Sequence, residues 1–226
     1  MSNNLDLQSV VSETIELVKT KWQPMLVAML LYCVTLLPAI IPILGMIYSF
    51  VISGPLLAGL MYTINQIRKG EQTKATDIYK GFGNFGKAFC VVLLFNLMVA
   101  VGTIFLFVPG IILAAGFFPC LFLVLDTDYG IMDTLHKAWA MTKGKKMGIF
   151  INVLVFTLLV LVVEVVFMLI FMLLSLVPVI GPIIGFIIGF VLFVALGLAG
   201  VGIYSVLYGR LEEPDVIEET TATTEV

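Results

Sequence analysis

Residues 147–177 read MGIFINVLVFTLLVLVVEVVFMLIFMLLSLV and contain one ionisable side chain, that of Glu164. A bilayer with a hydrocarbon core about 30 Å thick is crossed by about 20 helical residues. This run exceeds that length, so it predicts a membrane-spanning helix that tilts or begins below the membrane surface.

The composition of the whole chain supports the same class of protein. Of its 226 residues, 61% are hydrophobic and 12% are charged, whereas soluble domains carry about 25% charged residues. The net charge of -3 argues against a nucleic-acid partner, because binding a phosphate backbone requires a basic patch. Cys33, Cys90 and Cys120 lie inside apolar runs, which is typical of small buried hydrophobes and predicts no disulfide framework.

Six apolar stretches are grouped in pairs by short connections made of Pro and Gly. These residues block helix continuation and permit turns. We therefore expect an all-α, polytopic membrane protein with six transmembrane helices, arranged as three helical hairpins at residues 25–66, 88–125 and 147–208. The fourth stretch, 110–125, is short and contains Pro119. A shallow or kinked span is expected there, and a re-entrant hairpin remains an alternative.

An amphipathic segment precedes each hairpin. Apolar residues recur in each at spacings of 4, 3 and 4, which places them along one side of a helix. Such a stripe predicts an amphipathic helix lying in the membrane interface, at residues 5–22, 74–87 and 130–143. The stripes are formed by Val11, Ile15, Val18 and Trp22; by Ile78, Phe82, Phe85 and Phe89; and by Ile131, Leu135, Ala138 and Thr142.

The distribution of positive charge predicts the orientation. All 12 Lys and Arg residues lie outside the three Pro/Gly tips, in the terminal segments and the two segments between hairpins. Positive loops stay in the cytoplasm, so both termini are expected on the cytoplasmic side of the cell membrane. Residues 1–211 then form a single transmembrane domain. The acidic tail, 212–226, has no apolar stripe and is predicted to be disordered.

Three short motifs carry a family resemblance: Gly81-Phe82-Gly83-Asn84-Phe85, Val108-Pro109-Gly110-Ile111-Ile112 and Ala138-Trp139-Ala140-Met141-Thr142-Lys143-Gly144. With them the sequence resembles a broad bacterial group, best over residues 50–160. The group includes YciC-like membrane proteins, related membrane proteins of unknown function, and the membrane domain joined to some glycerophosphodiester phosphodiesterases. The resemblance implies a six-helix membrane domain of undefined activity. It does not imply a phosphodiesterase, because the chain has no long polar stretch to form that soluble domain.

Glu164 is the candidate intramembrane functional residue. An ionisable group at membrane depth is costly and is by default a functional-site hypothesis. No Lys or Arg lies in the apolar spans to pair with it, so its carboxyl should be protonated, hydrogen-bonded or hydrated. Two roles stay open, one in a transport or proton-linked pathway and one as a structural or water-facing group. The candidate partners are Asn96, Asn152, Tyr62 and Tyr204.

Two further sets of residues are assigned to packing and anchoring. Small residues at four-residue spacing let helices approach closely, and packing within the chain is favoured over a dimer interface. The packing set is Gly181, Gly185, Gly189, Gly54 and Ala58. Aromatic and basic residues anchor a helix at the membrane surface, where Lys can also meet anionic headgroups. The interface anchors are Trp22, Trp139, Lys143, Lys145 and Lys146.

The sequence contains no nucleophile–base–acid set, no phosphate-cradling loop and no metal-ligand spacing. No catalytic, cofactor-binding or metal-binding residue is therefore assigned, and no enzyme is predicted. Asp126 and Asp128 are expected to cap the third amphipathic helix.

The sequence favours a non-enzymatic interaction or lipid-organising module with membrane lipids, and secondarily other membrane proteins, as partners. The alternative is a small transporter or channel with Glu164 in the pathway.

Overall fold

The computed structural model describes residues 5–105, 107–177 and 180–224, with the side chains of these residues except 105–109 and 213–224. Within these ranges the chain forms helices and no strand. The α-helices are α1 Leu7–Thr35, α2 Leu44–Lys69, α3 Phe85–Phe105, α4 Phe107–Phe117, α5 Cys120–Asp126, α6 Ile131–Met141, α7 Lys146–Leu174 and α8 Ile180–Thr224. Two 3-10 helices, Leu37–Ile40 and Ala75–Phe82, complete the described part.

Five described helical stretches are long and apolar enough to cross a membrane: Leu7–Ile40, Leu44–Lys69, Phe85–Ile104, Lys146–Leu174 and Ile180–Glu212. This agrees with the membrane class predicted from composition. The fourth apolar stretch differs, because α4 ends at Phe117 and α5 begins after Pro119. Proline lacks the backbone N–H that a continuous helix needs, so the kink expected at Pro119 is present. Together these two helices form only a shorter apolar segment, Gly110–Asp126.

The helices on either side of each Pro/Gly connection pack against each other: α1 with α2, α3 with α4, and α7 with α8. At the second connection the two backbones are close, since a Cβ on Gly102 would lie 3.0 Å from the Cα of Gly110. At the third, a Cβ on Gly181 would collide with the carbonyl of Leu174. Pro178 and Val179 of that connection lie outside the described residues.

The buried core lies at the end of the bundle that carries the charged residues. In α2, Ile47 near the first tip is 61% exposed, whereas Leu56 is fully buried. In α8, Phe186 is 74% exposed and Leu207 is fully buried. Apolar side chains left uncovered towards the tips are what a lipid solvent would accommodate. The helices therefore share a protein core at one end and leave apolar side chains uncovered towards the other.

The second half of the fourth apolar stretch belongs to this core. Every residue of α5 from Cys120 to Val124 is buried. Phe122 stacks on Tyr208 of α8 with ring centroids 4.6 Å apart, and α5 also contacts α2, α3 and α6. Its apolar character thus reflects burial in protein, which is common for apolar segments too short to span a bilayer.

The three amphipathic segments adopt three different forms. The first is continuous with α1, with a kink at Lys21, where φ is -115° and ψ is 21°. The third is α6. The second is a 3-10 helix, Ala75–Phe82, followed by the start of α3, so the single helix predicted at 74–87 is corrected here. A Cβ on Gly81 would collide with the carbonyl of Pro55, and one on Gly59 with the carbonyl of Ile78. Because these glycines have no Cβ, the backbone of the second segment packs directly against the backbone of α2.

The first and third amphipathic segments have the same apolar spacing, but their apolar stripes lie in different environments. In α1 the stripe residues Val11 and Ile15 are 39% and 47% exposed, as a lipid-facing stripe would be. In α6 Leu135 and Ala138 are buried against the protein, so that stripe contributes to the core.

The acidic tail continues α8. The helix runs from Ile180 to Thr224, where the sequence predicted disorder from residue 212 onwards. Residues 225–226 lie outside the described residues.

Candidate functional site

Helices α7 and α8 are held in register by three aromatic–glycine contacts. Phe171 lies against Gly185, Phe167 against Gly189, and Phe156 against Gly200. From one contact to the next, the position on α7 decreases by four and then eleven residues, and the position on α8 increases by the same numbers. Equal and opposite steps are what an antiparallel helix pair requires. We call these contacts the Phe–Gly ladder. The glycines give each ring room to approach the α8 backbone.

A cleft of about 630 Å³ runs along α7 and α8, and the three rings of the ladder line it. Glycines on α8 recur every four residues at 181, 185, 189 and 197, but position 193 is Phe. The ladder register places Phe193 level with Val163, and Leu192 level with Glu164, and all four side chains line the cleft. Between the contacts of Phe167 with Gly189 and of Phe156 with Gly200, α8 thus presents Leu192 and Phe193 to the cleft.

Glu164 lies in this cleft and is exposed. It is 10 residues from Leu174 and 18 from Lys146, the two ends of α7, which corresponds to about 15 Å and about 27 Å along the helix. Its carboxyl makes no hydrogen bond or ion pair with another described residue. The structure therefore leaves an ionisable group inside a membrane-length helix without a described protein partner.

Only one of the four candidate partners lines the same cleft. Tyr204 does so, with its ring 5.6 Å from that of Phe118. Asn152 instead donates to the carbonyls of Leu5 and Gly148, at 3.0 and 2.8 Å. The Tyr62 hydroxyl accepts from Gln66, and Asn96 is exposed on α3.

A charged cluster that the sequence analysis missed joins three helices at the buried end. Lys69 Nζ of α2 lies 3.0 Å from Glu212 Oε1 of α8 and 3.5 Å from Asp126 Oδ2 of α5. Arg68 Nη2 lies 3.8 Å from Glu212 Oε2. The expected capping role of Asp126 is corrected, since α6 has Gly130 at its N-cap and no side-chain cap. The available sequence signal was the opposite charge of Lys69, at the end of α2, and Glu212, just after the apolar part of α8.

A second ion pair attaches the first amphipathic segment to α8. Arg210 donates from Nη2 and Nε to Glu13 Oε2, at 2.7 and 3.0 Å, and from Nη1 to Ser9 Oγ at 2.8 Å. Ser9 and Glu13 lie on the polar side of this segment, opposite the predicted apolar stripe. Part of that polar side therefore binds the protein.

The predicted anchors fall into two groups. Trp22 is 50% exposed and Lys143 is exposed in the turn before α7, beside Gly144 with φ 78°. Trp139 instead stacks on Phe117 at 4.8 Å, with Lys146 Nζ above its ring. Lys145 and Lys146 are half-buried.

The predicted small residues lie at helix–helix contacts within the chain. Gly54 of α2 would place a Cβ 3.5 Å from Phe89 and Val92 of α3, and Ala58 is fully buried. Gly181, Gly185 and Gly189 all lie against α7, at Leu174 and in the Phe–Gly ladder.

His136 is exposed on α6, and among the described residues no group of three or more His, Cys, Asp or Glu side chains could hold a metal ion.

Fold and site together define an all-helical protein with five described membrane-length helices, an ion-paired end and an apolar cleft. No protein-family model, curated protein or solved structure matches the chain. The resemblance to the YciC-like group therefore rests on its three motifs alone and remains a hypothesis.

Proposed function

We propose that this protein is a non-enzymatic, multi-pass protein of the bacterial cell membrane that binds and organises anionic lipid around its hairpins. Six spans in three hairpins, with both termini in the cytoplasm, remain the arrangement that the charge distribution favours. A sixth span would be formed by the shorter, kinked segment Gly110–Asp126.

One observation carries the proposal. The turn that contains Lys143 and Lys145 leads directly into α7, whose apolar side chains are largely uncovered. Met147 is 71% exposed, Leu158 is 53% exposed and Leu173 is 67% exposed. A lipid beside α7 can thus place its acyl chains along an apolar helix and its headgroup phosphate beside lysine side chains. Each lysine near a membrane surface contributes about 1 kcal/mol to attraction of anionic lipid.

The test measures lipid retained by the purified protein. Wild type and the double variant Lys143→Gln/Lys145→Gln are compared by native mass spectrometry in a mixture of anionic and zwitterionic phospholipids. Loss of about 2 kcal/mol should weaken anionic-lipid retention by about 30-fold. The matched control, Lys19→Gln/Lys21→Gln, removes the same charge from exposed positions in α1 and should change retention less. Equal retention by wild type and both variants contradicts the proposal.

A small transporter or channel is the second candidate, and the absence of a described partner for Glu164 is the observation that favours it. Conduction needs polar groups along a pathway. Of the residues that line the cleft, only Glu164 and Tyr204 have polar side chains. This lining gives more support to the binding of an apolar molecule than to passage of an ion.

A further inference from the structure

We propose that the cleft between α7 and α8 is a binding site for a small apolar molecule that carries one protonated amine, with Glu164 as the carboxylate that receives the amine. This site is separate from the headgroup contact proposed above, and it can exist whether or not that contact does.

The chemistry of the ligand follows first from Glu164. A carboxylate in apolar surroundings is unfavourable unless it is paired, and no described residue pairs with Glu164. An ionised carboxyl only accepts hydrogen bonds, and it accepts them most strongly from a charged donor. A metal ion is a poorer candidate, since hard cations take several oxygen ligands and the cleft lining includes one carboxyl.

The rest of the lining selects for an apolar cation. Phe156, Phe167, Phe171 and Phe193 line the cleft with Glu164. Phe167 is three residues from Glu164 on α7, and Phe193 lies level with Val163, so these two rings are placed to attract an ammonium group through their π-faces. Phe156 and Phe171 lie about 12 Å and about 10 Å from Glu164 along the helix, where they can bury the apolar part of a ligand. A carboxylate among aromatic rings therefore distinguishes an amine from a neutral molecule of the same shape.

Access and depth restrict the size of the ligand. Phe193 is 59% exposed and Met168 is 72% exposed, so the cleft can be reached sideways, from the lipid. Glu164 lies about 15 Å and about 27 Å along the helix from the two ends of α7. The amine of a phospholipid stays at the membrane surface, so the ligand that fits is a compact lipophilic amine that dissolves in the hydrocarbon.

Binding is tested on the full chain in phosphatidylcholine nanodiscs with tritiated 4-phenylbutylamine, measured by equilibrium dialysis against empty nanodiscs. Wild type should bind it saturably above the partition into empty discs. Glu164→Gln keeps the shape of the side chain but removes the charge, and should bind at least about tenfold more weakly. Unlabelled 4-phenylbutan-1-ol should displace the probe at least about tenfold less well than the unlabelled amine.

Two controls complete the experiment. Glu16→Gln removes an exposed carboxyl of α1, outside the cleft, and should bind as wild type does. Leu192→Trp keeps Glu164 but fills the cleft from α8, and should abolish saturable binding while the thermal transition is retained. The proposal is overturned by the absence of saturable binding to wild type, by unchanged binding to Glu164→Gln or to folded Leu192→Trp, or by an alcohol that competes as well as the amine.

Discussion

Phe167 of α7 lies against Gly189 of α8 so closely that a Cβ on the glycine would stand 2.8 Å from the tip of the ring. The neighbouring contacts, Phe171 with Gly185 and Phe156 with Gly200, follow the same register. The hairpin between α7 and α8 is thus positioned by rings that rest on glycines. Helix packing in lipid depends on such close approach, because apolar surface gains little when protein replaces lipid.

Gly189→Ala should therefore destabilise the hairpin. The new methyl group forces the Phe167 ring out of place, and overpacking of this kind costs about 1–3 kcal/mol. The matched control is Gly86→Ala in α3, where a Cβ would meet nothing within 4 Å and alanine has the better helix propensity. Thermal unfolding in mild detergent should show a lower midpoint for Gly189→Ala than for Gly86→Ala. Equal midpoints would mean that the ladder does not determine packing.

The pair formed by Arg210 and Glu13 should couple α8 to the first amphipathic segment. A double-mutant cycle with Arg210→Met and Glu13→Gln should give a coupling free energy of about 1 kcal/mol. The value stays small because Glu13 is 43% exposed at its side chain, and exposed pairs contribute little. A parallel cycle that replaces Glu13→Gln by Glu16→Gln, on the same helix, should give coupling near zero. The free energies are obtained from thermal unfolding in detergent. Equal coupling free energies in the two cycles would show that Arg210 and Glu13 have no specific interaction energy.

The orientation can be tested by labelling with a membrane-impermeant thiol reagent. In a background without Cys33, Cys90 and Cys120, single cysteines at Ile40 and Ile180 should react in intact cells. These side chains are 77% and 60% exposed at the tips. A cysteine at Gln72, exposed between α2 and α3, should react only after permeabilisation. Reaction of Gln72→Cys in intact cells would reverse the topology inferred from the positive charges.

The elements governed by composition could be predicted from the sequence. Long apolar runs such as 147–177 predict membrane-length helices because length and hydropathy are local properties. Pro119 likewise predicts the break between α4 and α5, because it lacks the N–H of a continuous helix, although Pro55 is accommodated inside α2.

What the sequence did not predict depends on contacts between distant segments. Lys69 meets Asp126 and Glu212, and no local pattern specifies which acidic residue a lysine will reach. The 3-10 helix at Ala75–Phe82 follows from the contact of Gly81 with Pro55. Gly81, Gly83 and Gly86 weaken a regular helix there, but they do not specify which segment the backbone contacts. Glu164 could be selected from the sequence because it is the one ionisable residue in the run 147–177. The cleft around it could not be predicted, because its lining depends on how α7 and α8 pack against each other.

Glu164 and Asn152 should respond in opposite ways to replacement by leucine. Asn152 donates to two carbonyl groups, those of Leu5 and Gly148, so Asn152→Leu should destabilise the protein by about 0.6 to 2 kcal/mol, as other intramembrane hydrogen bonds suggest. Glu164 has no such bond to a described residue. Glu164→Leu removes an ionisable group from apolar surroundings, so it should leave the thermal midpoint unchanged or raise it. A lower midpoint for Glu164→Leu than for Asn152→Leu would mean that the carboxyl has a structural partner.

The same position separates the two candidate functions. A proton-linked or cation-conducting role requires an ionisable side chain, whereas the binding of anionic lipid at Lys143 and Lys145 does not. Proteoliposomes with wild type, Glu164→Gln or Glu164→Leu can be compared by the decay of an imposed pH gradient, reported by an entrapped dye. We expect the three proteins to give the same decay as each other and as liposomes without protein. Rapid decay with wild type that is lost in a folded Glu164→Gln variant would establish a pathway through Glu164 and make the transporter the better assignment.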